Sequence, residues 1–214
     1  MDNVKRYGFR WSIAGNGGKS CPNPLYYTVA SGQNDTNDGA GFSVDLNVGD
    51  PVKMVNDGGV SLALTTEEVL GIITTISPYW DGTRMVFGNK LPNQTTWGTN
   101  EERRSYVGIV PATAGTWEID CDDKVTATTK TAYELLIHLN TEHVVPGIAA
   151  QTSADPMLDI SLVNTTNTLI WRIVGISRTL ENQDFSGSYV KLLVQINVGE
   201  EAGFVATAGA VAGL

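Results

Sequence analysis

The chain has 214 residues, 42% of them hydrophobic and 17% charged, with 14 basic and 23 acidic side chains and a net charge of −9. That length suits one large domain or two small ones with a sizeable core, and the acidic balance argues against a nucleic-acid binder. No stretch approaches the roughly 18 apolar residues of a membrane span, the opening Met-Asp-Asn-Val-Lys-Arg leads into no secretory apolar run, and Cys21 and Cys121 are expected as two separate thiols in a reducing compartment.

Residues 1–41 read as an extended N-terminal arm. They hold seven glycines and two prolines, and end in a polar run from Ser31 to Gly39. They also carry Tyr7, Phe9, Trp11, Tyr26 and Tyr27, and a disordered tail normally lacks aromatic side chains. The stretch GNGGKS, residues 15–20, imitates a phosphate-binding loop, but that pattern requires a glycine where Ile13 stands. Pro22 and Pro24 then forbid the helix that must follow. A flexible turn with Lys19 as a solvated charge is expected instead. The first 20 residues carry Lys5, Arg6, Arg10 and Lys19 against Asp2, so a basic end of +3 precedes a remainder of −12.

From Phe42 the apolar period changes to two. Phe42, Val44, Leu46 and Val48 alternate with polar residues, and Asn56-Asp57-Gly58-Gly59 is a hairpin signal between 52–55 and 60–64. Further strands are expected near 69–76, 84–87, 106–110 and 116–120. One helix is expected over 131–143, with Tyr133, Leu136 and Ile137 near one face, Thr129 or Thr131 as cap, and Pro146-Gly147 as the stop. After it, 157–163, 169–177 and 189–198 read as strands, the last two as a hairpin over the loop 180–187. These segments predict a mainly β protein, an antiparallel barrel or sandwich body over 42–200 that divides into 42–112 and 113–200. An apolar tail over 201–214, rich in Ala and Gly, is expected to be mobile.

Candidate chemistry is sparse. His138 and His143, five apart on the expected helix, do not share a face and make no metal pair. Glu118, Asp120 and Asp122 alternate along a strand, which suits acid–base work on a glycosidic bond or a cation site, but a solvated row of like charges is the commoner outcome. The 34–45 loop imitates a calcium loop with Asn34, Thr36 and Phe42 in unsuitable places. No Gly-x-Ser-x-Gly elbow occurs. The residues therefore predict no enzyme, no catalytic residue, no cofactor and no metal.

Several short motifs carry a resemblance: YGFRW at 7–11, CPNP at 21–24, VGDPV at 48–52, VLGI at 69–72 and PYWDG at 78–82. NEERRSYVGIVPA, DISLVNTTNTLIWRIVG and VKLLVQINVGEEAGF further along add to it. Together they resemble tailed-bacteriophage virion proteins of the head-decoration or capsid-stabilising (cement) type. The resemblance covers most of the chain and implies a homo-oligomer, a dimer or trimer, assembled in the host cytoplasm. It would sit on the virion capsid surface and bind the major capsid protein, with no nucleic acid, membrane or cofactor as partner. Within that reading Lys5, Arg6, Tyr7, Phe9, Arg10, Trp11, Tyr26 and Tyr27 are the expected partner-binding residues, since aromatic anchors and complementary charge mark interfaces. Two alternatives stand beside it: a tail- or fibre-associated module that binds a host-surface glycan, and a glycan-cleaving enzyme built on Glu118 and Asp120.

Overall fold

The computed structural model describes residues 8–29, 45–55, 58–80, 83–92, 105–122, 127–145, 155–166, 168–180, 182–186 and 189–197. In chain order the strands of the first half are β1 (Arg10–Trp11), β2 (Leu25–Thr28), β3 (Leu46–Asn47), β4 (Pro51–Met54), β5 (Val60–Leu62), β6 (Gly71–Ile76), β7 (Tyr79–Trp80), β8 (Met85–Val86), β9 (Lys90–Leu91) and β10 (Tyr106–Pro111). Those of the second half are β11 (Trp117–Asp120), β12 (Asn140–Val144), β13 (Met157–Asn164), β14 (Trp171–Ile176) and β15 (Lys191–Ile196). The protein is mainly β and antiparallel, as its period-two runs require.

Two large sheets result, each curling back on itself, with two-stranded ribbons β3-β9 and β7-β8 beside them. The first runs β2-β10-β6-β4-β5. A parallel bridge from Val29, just after β2, to Val60 at the start of β5 brings its two outer strands together. The second runs β1-β11-β15-β14-β12-β13. There the far edge of β11 is shared: Trp117 and Glu118 pair with β1, whereas Cys121 bridges in parallel to Leu158 of β13. Closure of this kind covers strand edges that would otherwise template aggregation. The predicted hairpin of β14 and β15 forms, with Trp171 opposite Ile196 and Ile176 opposite Leu192.

Alternation sorts the side chains. Trp117 and Ile119, Trp171 and Ile173, and Leu192 and Val194 point into one core, while Val52, Val60, Ile73, Leu91, Val107 and Ile109 fill the other. The cores meet: Phe9, Ala63, Val69, Ile72, Val110 and Ala112 come from the first half of the chain yet pack with the second-sheet core.

The N-terminal segment is not a separate arm over its described part. Phe9 is buried, β1 extends the second sheet, and β2 is a strand of the first. Gly8 makes the entry possible. Its φ is +65°, and a Cβ there would come within 2.5 Å of the Gly49 carbonyl oxygen, to whose residue Phe9 N–H donates at 2.8 Å.

GNGGKS is equally integrated. The Asn16 amide donates to the carbonyls of Ser12 and Thr116, both at 2.8 Å, and its oxygen accepts from Thr116 N–H at 2.8 Å. The Trp11 indole donates to the Lys19 carbonyl at 2.9 Å. One side chain thus does the work of a strand pair, holding the loop against the start of β11.

The expected helix over 131–143 is shorter. Helix α1 spans Lys130–Glu134, capped by Thr129, whose hydroxyl accepts from Ala132 N–H at 3.2 Å. The chain then turns through Leu135–His138, with His138 at φ 77°, and enters β12. His138 N–H donates to Ile173 and Ile173 N–H to Leu139, so β14 captures the backbone before a second helical turn forms. The strand expected from Phe42 is described only from Asp45 onward, as β3 paired with β9; 42–44 and the 201–214 tail lie outside the described residues.

The Asn16 bracket gives a stability prediction. Asn16→Ala leaves the Thr116 N–H without its acceptor and removes the second donor to the Ser12 and Thr116 carbonyls, and is expected to cost about 1–3 kcal/mol. Lys19→Ala, which touches only an exposed side chain, is expected to stay within about 0.5 kcal/mol. Urea midpoints of the two variants check both.

Candidate functional site

Strand β11 carries the carboxylate row. Because Trp117 and Ile119 face the core, Glu118 and Asp120 share the opposite face, as alternation predicts. That face is not solvated: both are buried. Glu118 lies across from Arg10 of β1, whose guanidinium bonds one carboxylate oxygen, and the Ser177 hydroxyl donates to the other. Asp120 lies across from Lys191 of β15, with Nζ 3.7 Å from Oδ1 and both side chains almost fully buried. Asp122 has left the strand and accepts Ile160 N–H at 3.2 Å.

The three acids therefore diverge to three partners rather than converging on one space. Among the described residues no group of three His, Cys, Asp or Glu is placed to hold a metal ion. The layer is closed by the β14–β15 connection, where Asn182 donates to the carbonyls of Ser177 and Lys191 and accepts from Lys191 N–H at 2.9 Å. Ser177, Asn182 and Lys191 are members that the sequence reading missed, and Arg10 is one it assigned to an outside partner. Their distance along the chain hid them, as Arg10 and Glu118 are 108 residues apart.

His143 stands on strand β12, not on a helix, and is fully buried. Its Nε2 lies 3.0 Å from the Ala63 carbonyl oxygen, and its Nδ1 lies 3.2 Å from the Trp171 indole nitrogen. A carbonyl only accepts and an indole N–H only donates, so these partners select the neutral tautomer with the proton on Nε2. Burial pushes its pKa down to about 4, against the opposing pull of the Ala63 carbonyl. Phe9 packs on the same group, with its ring 4.4 Å from that of Trp171 and edge-on to His143.

Asp50 shows the opposite perturbation. Burial raises its pKa to about 8, and the Asp155 carboxylate adds to the rise. The Asn47 N–H, 2.7 Å from Oδ2, resists it. Glu142 is raised too, by burial first and then by Asp159.

Of the expected partner-binding residues, Lys5, Arg6 and Tyr7 lie outside the described residues. Phe9 is core and Arg10 is paired with Glu118. Trp11 packs edge-on against Trp117 at 5.5 Å, and Tyr27 packs on the first-sheet core. Phe9 is thus unavailable to a partner, while Arg10, Trp11 and Tyr27 are half-buried in contacts within the molecule. Tyr26 is the most exposed of the described ones, at 60%. It lies opposite Gly108, and Tyr106, two residues before Gly108, is 47% exposed on the same face. Leu25 is exposed at the end of the same strand. Tyr106 could have been found from the alternation of YVGIVP, in which it takes the phase opposite to buried Val107.

Cys21 is exposed and Cys121 buried, with no disulfide between them. No helix among the described residues is long and apolar enough to cross a membrane. Comparison with protein-family models, with curated proteins and with solved structures gives no match.

The two buried ionisable groups set a pH profile. The unfolded chain protonates His143 near 6.5 and the folded one near 4, so this group lowers stability as pH falls between those values. Folded Asp50 keeps its proton up to about 8, whereas the unfolded chain loses it near 3.8, so this group lowers stability as pH rises through that window. Between about 4 and 6.5 the two slopes oppose; from 6.5 to 8 His143 no longer contributes and Asp50 removes about 2 kcal/mol. Asp50→Asn is expected to abolish that loss and to leave a rise of about 3 kcal/mol from pH 4 to 6.5 due to His143. Urea titrations of wild type and variant at matched pH test it: their difference isolates Asp50, because His143 and Glu142 are common to both, and the variant's own curve shows the rise.

Proposed function

We propose that this chain is a non-enzymatic virion structural protein that binds a capsid shell as a homo-oligomer and decorates or stabilises a phage head. The observation that carries the reading is how the side chains are committed. Glu118 and Asp120, the carboxylates best placed for chemistry, are engaged by Arg10, Ser177 and Lys191. On the outward face of the first sheet Tyr26 and Tyr106 stand exposed on neighbouring strands, with Thr28 and Thr75 beside them. A scaffold braced by internal charge, with an aromatic outer face, suits a part that docks on a larger body. The acidic body beneath a basic N-terminal end adds charge complementarity between copies. The motif resemblance to head-decoration proteins points the same way, with the major capsid protein as partner and the capsid surface as location.

Tyr26 and Tyr106 also favour one second reading, a tail- or fibre-associated module that stacks on a host-surface glycan. Copy number separates the two, because a decoration protein is present in hundreds of copies per particle and a tail part in a few. Under the first reading, Tyr26→Ser combined with Tyr106→Ser is expected to weaken particle binding by about tenfold or more, since buried aromatic anchors dominate interface energy. The far-ultraviolet spectrum should stay unchanged. Quantitative gel densitometry of purified particles reads both copy number and the loss; full occupancy by the double variant removes the aromatic face from the reading.

A further inference from the structure

The buried Lys191–Asp120 pair is longer than a hydrogen-bonded ion pair. Nζ and Oδ1 are 3.7 Å apart, while a charge-assisted hydrogen bond settles near 2.7–2.9 Å. The lysine side chain has no exposed surface and the aspartate almost none. Within the described structure Nζ also reaches the Tyr189 carbonyl, at 3.4 Å, and Tyr189 itself stands at φ 61°.

The two side chains are direct cross-strand neighbours on β11 and β15, so the backbone ladder fixes their separation. Asn182 braces the Lys191 backbone from both sides, through its N–H and its carbonyl. Amine and carboxyl are thus held side by side, away from water, by elements that cannot move apart without breaking the sheet.

We propose that Lys191 and Asp120 are the site of an intramolecular amide cross-link between β11 and β15, formed by the folded chain without a cofactor. This inference stands apart from the virion reading and holds or fails without it. A dry site disfavours separated charge, so the ammonium passes a proton to the carboxylate, giving an amine and a carboxylic acid. The Nζ lone pair attacks Cγ of Asp120. The C–N bond forms and the C–OH bond breaks. Of the three ammonium hydrogens, one stays on the amide and two leave with the carboxylate oxygen as water. No oxidant, reductant or metal enters, and both buried charges are removed.

Intact-mass spectrometry of the purified full-length chain, denatured and reduced, tests the proposal directly. The expected mass is lower than that of the sequence by one water. A tryptic digest is expected to show no cleavage after Lys191 and to join the Asp120 peptide to the Lys191 peptide. Asp120→Ala is expected to restore the full mass expected for its own sequence. Full mass in the wild type overturns the proposal, as does a water loss that persists in Asp120→Ala. Because the wild-type measurement decides alone, failure of the variant to fold leaves the test intact.

Discussion

The imidazole of His143 is the joint on which the two halves of the molecule turn. Its one proton points to Ala63, in the segment after β5 of the first sheet, and its one lone pair receives the indole N–H of Trp171 in the second. A buried indole without an acceptor, or a buried carbonyl without a donor, is costly, and only a neutral imidazole satisfies both at once. Phe9 lies against both rings, so the same joint fixes the entry of the chain. Once Phe9 is fixed, β1 falls beside β11, the Asn16 bracket falls on Thr116, and Arg10 meets Glu118.

Much of the fold was legible, and the limits have identifiable causes. Strands with strict alternation, such as KLLVQI in β15 and GIITTI in β6, read correctly because burial on one face imposes period two on the sequence. The helix over-read began from a true signal. Thr129 does cap a turn, but Tyr133, Leu136 and Ile137 satisfy a helical stripe only until His138 N–H finds Ile173. Helical propensity is weak against a partner strand that offers backbone hydrogen bonds, and Thr141 and Val144 favour the sheet. The arm misled for a different reason. Two-residue β1 has no periodicity to detect, and its partners lie a hundred residues away. Glycine-rich, aromatic-bearing sequence is as compatible with stitching two sheets together as with reaching for a neighbour.

The carboxylate row shows where face prediction and burial prediction separate. Alternation correctly put Glu118 and Asp120 on the side away from the apolar core. It carried no information about what covers that side, because Ser177 and Asn182, outside any regular element, are part of the cover. Once covered, each carboxylate needs a partner of its own, and β1 and β15 supply Arg10 and Lys191 at the matching register positions. A slip of one residue in either pairing would put these charges into the core and an apolar residue into the polar layer, so the charges specify register.

The two halves consequently carry different burdens. The second sheet has a polar layer behind its core, whose partners lock β1, β11 and β15 in place. The first sheet has the tyrosine face on β2 and β10 and, at Asp50, a buried acid that burial keeps protonated well into the neutral range. In the proposed role, a partner held at Tyr26 and Tyr106 would load β2, and the chain leading back from β2 runs through GNGGKS to β1. That path ends at Arg10, Trp11 and Phe9, which are anchored by an ion pair, a ring contact and the core. In that role the glycine-rich loop that first suggested a phosphate cradle would be the strap between the tyrosine face and the braced sheet. Asn16 matters there because it keeps the strap against Thr116 when the face is pulled.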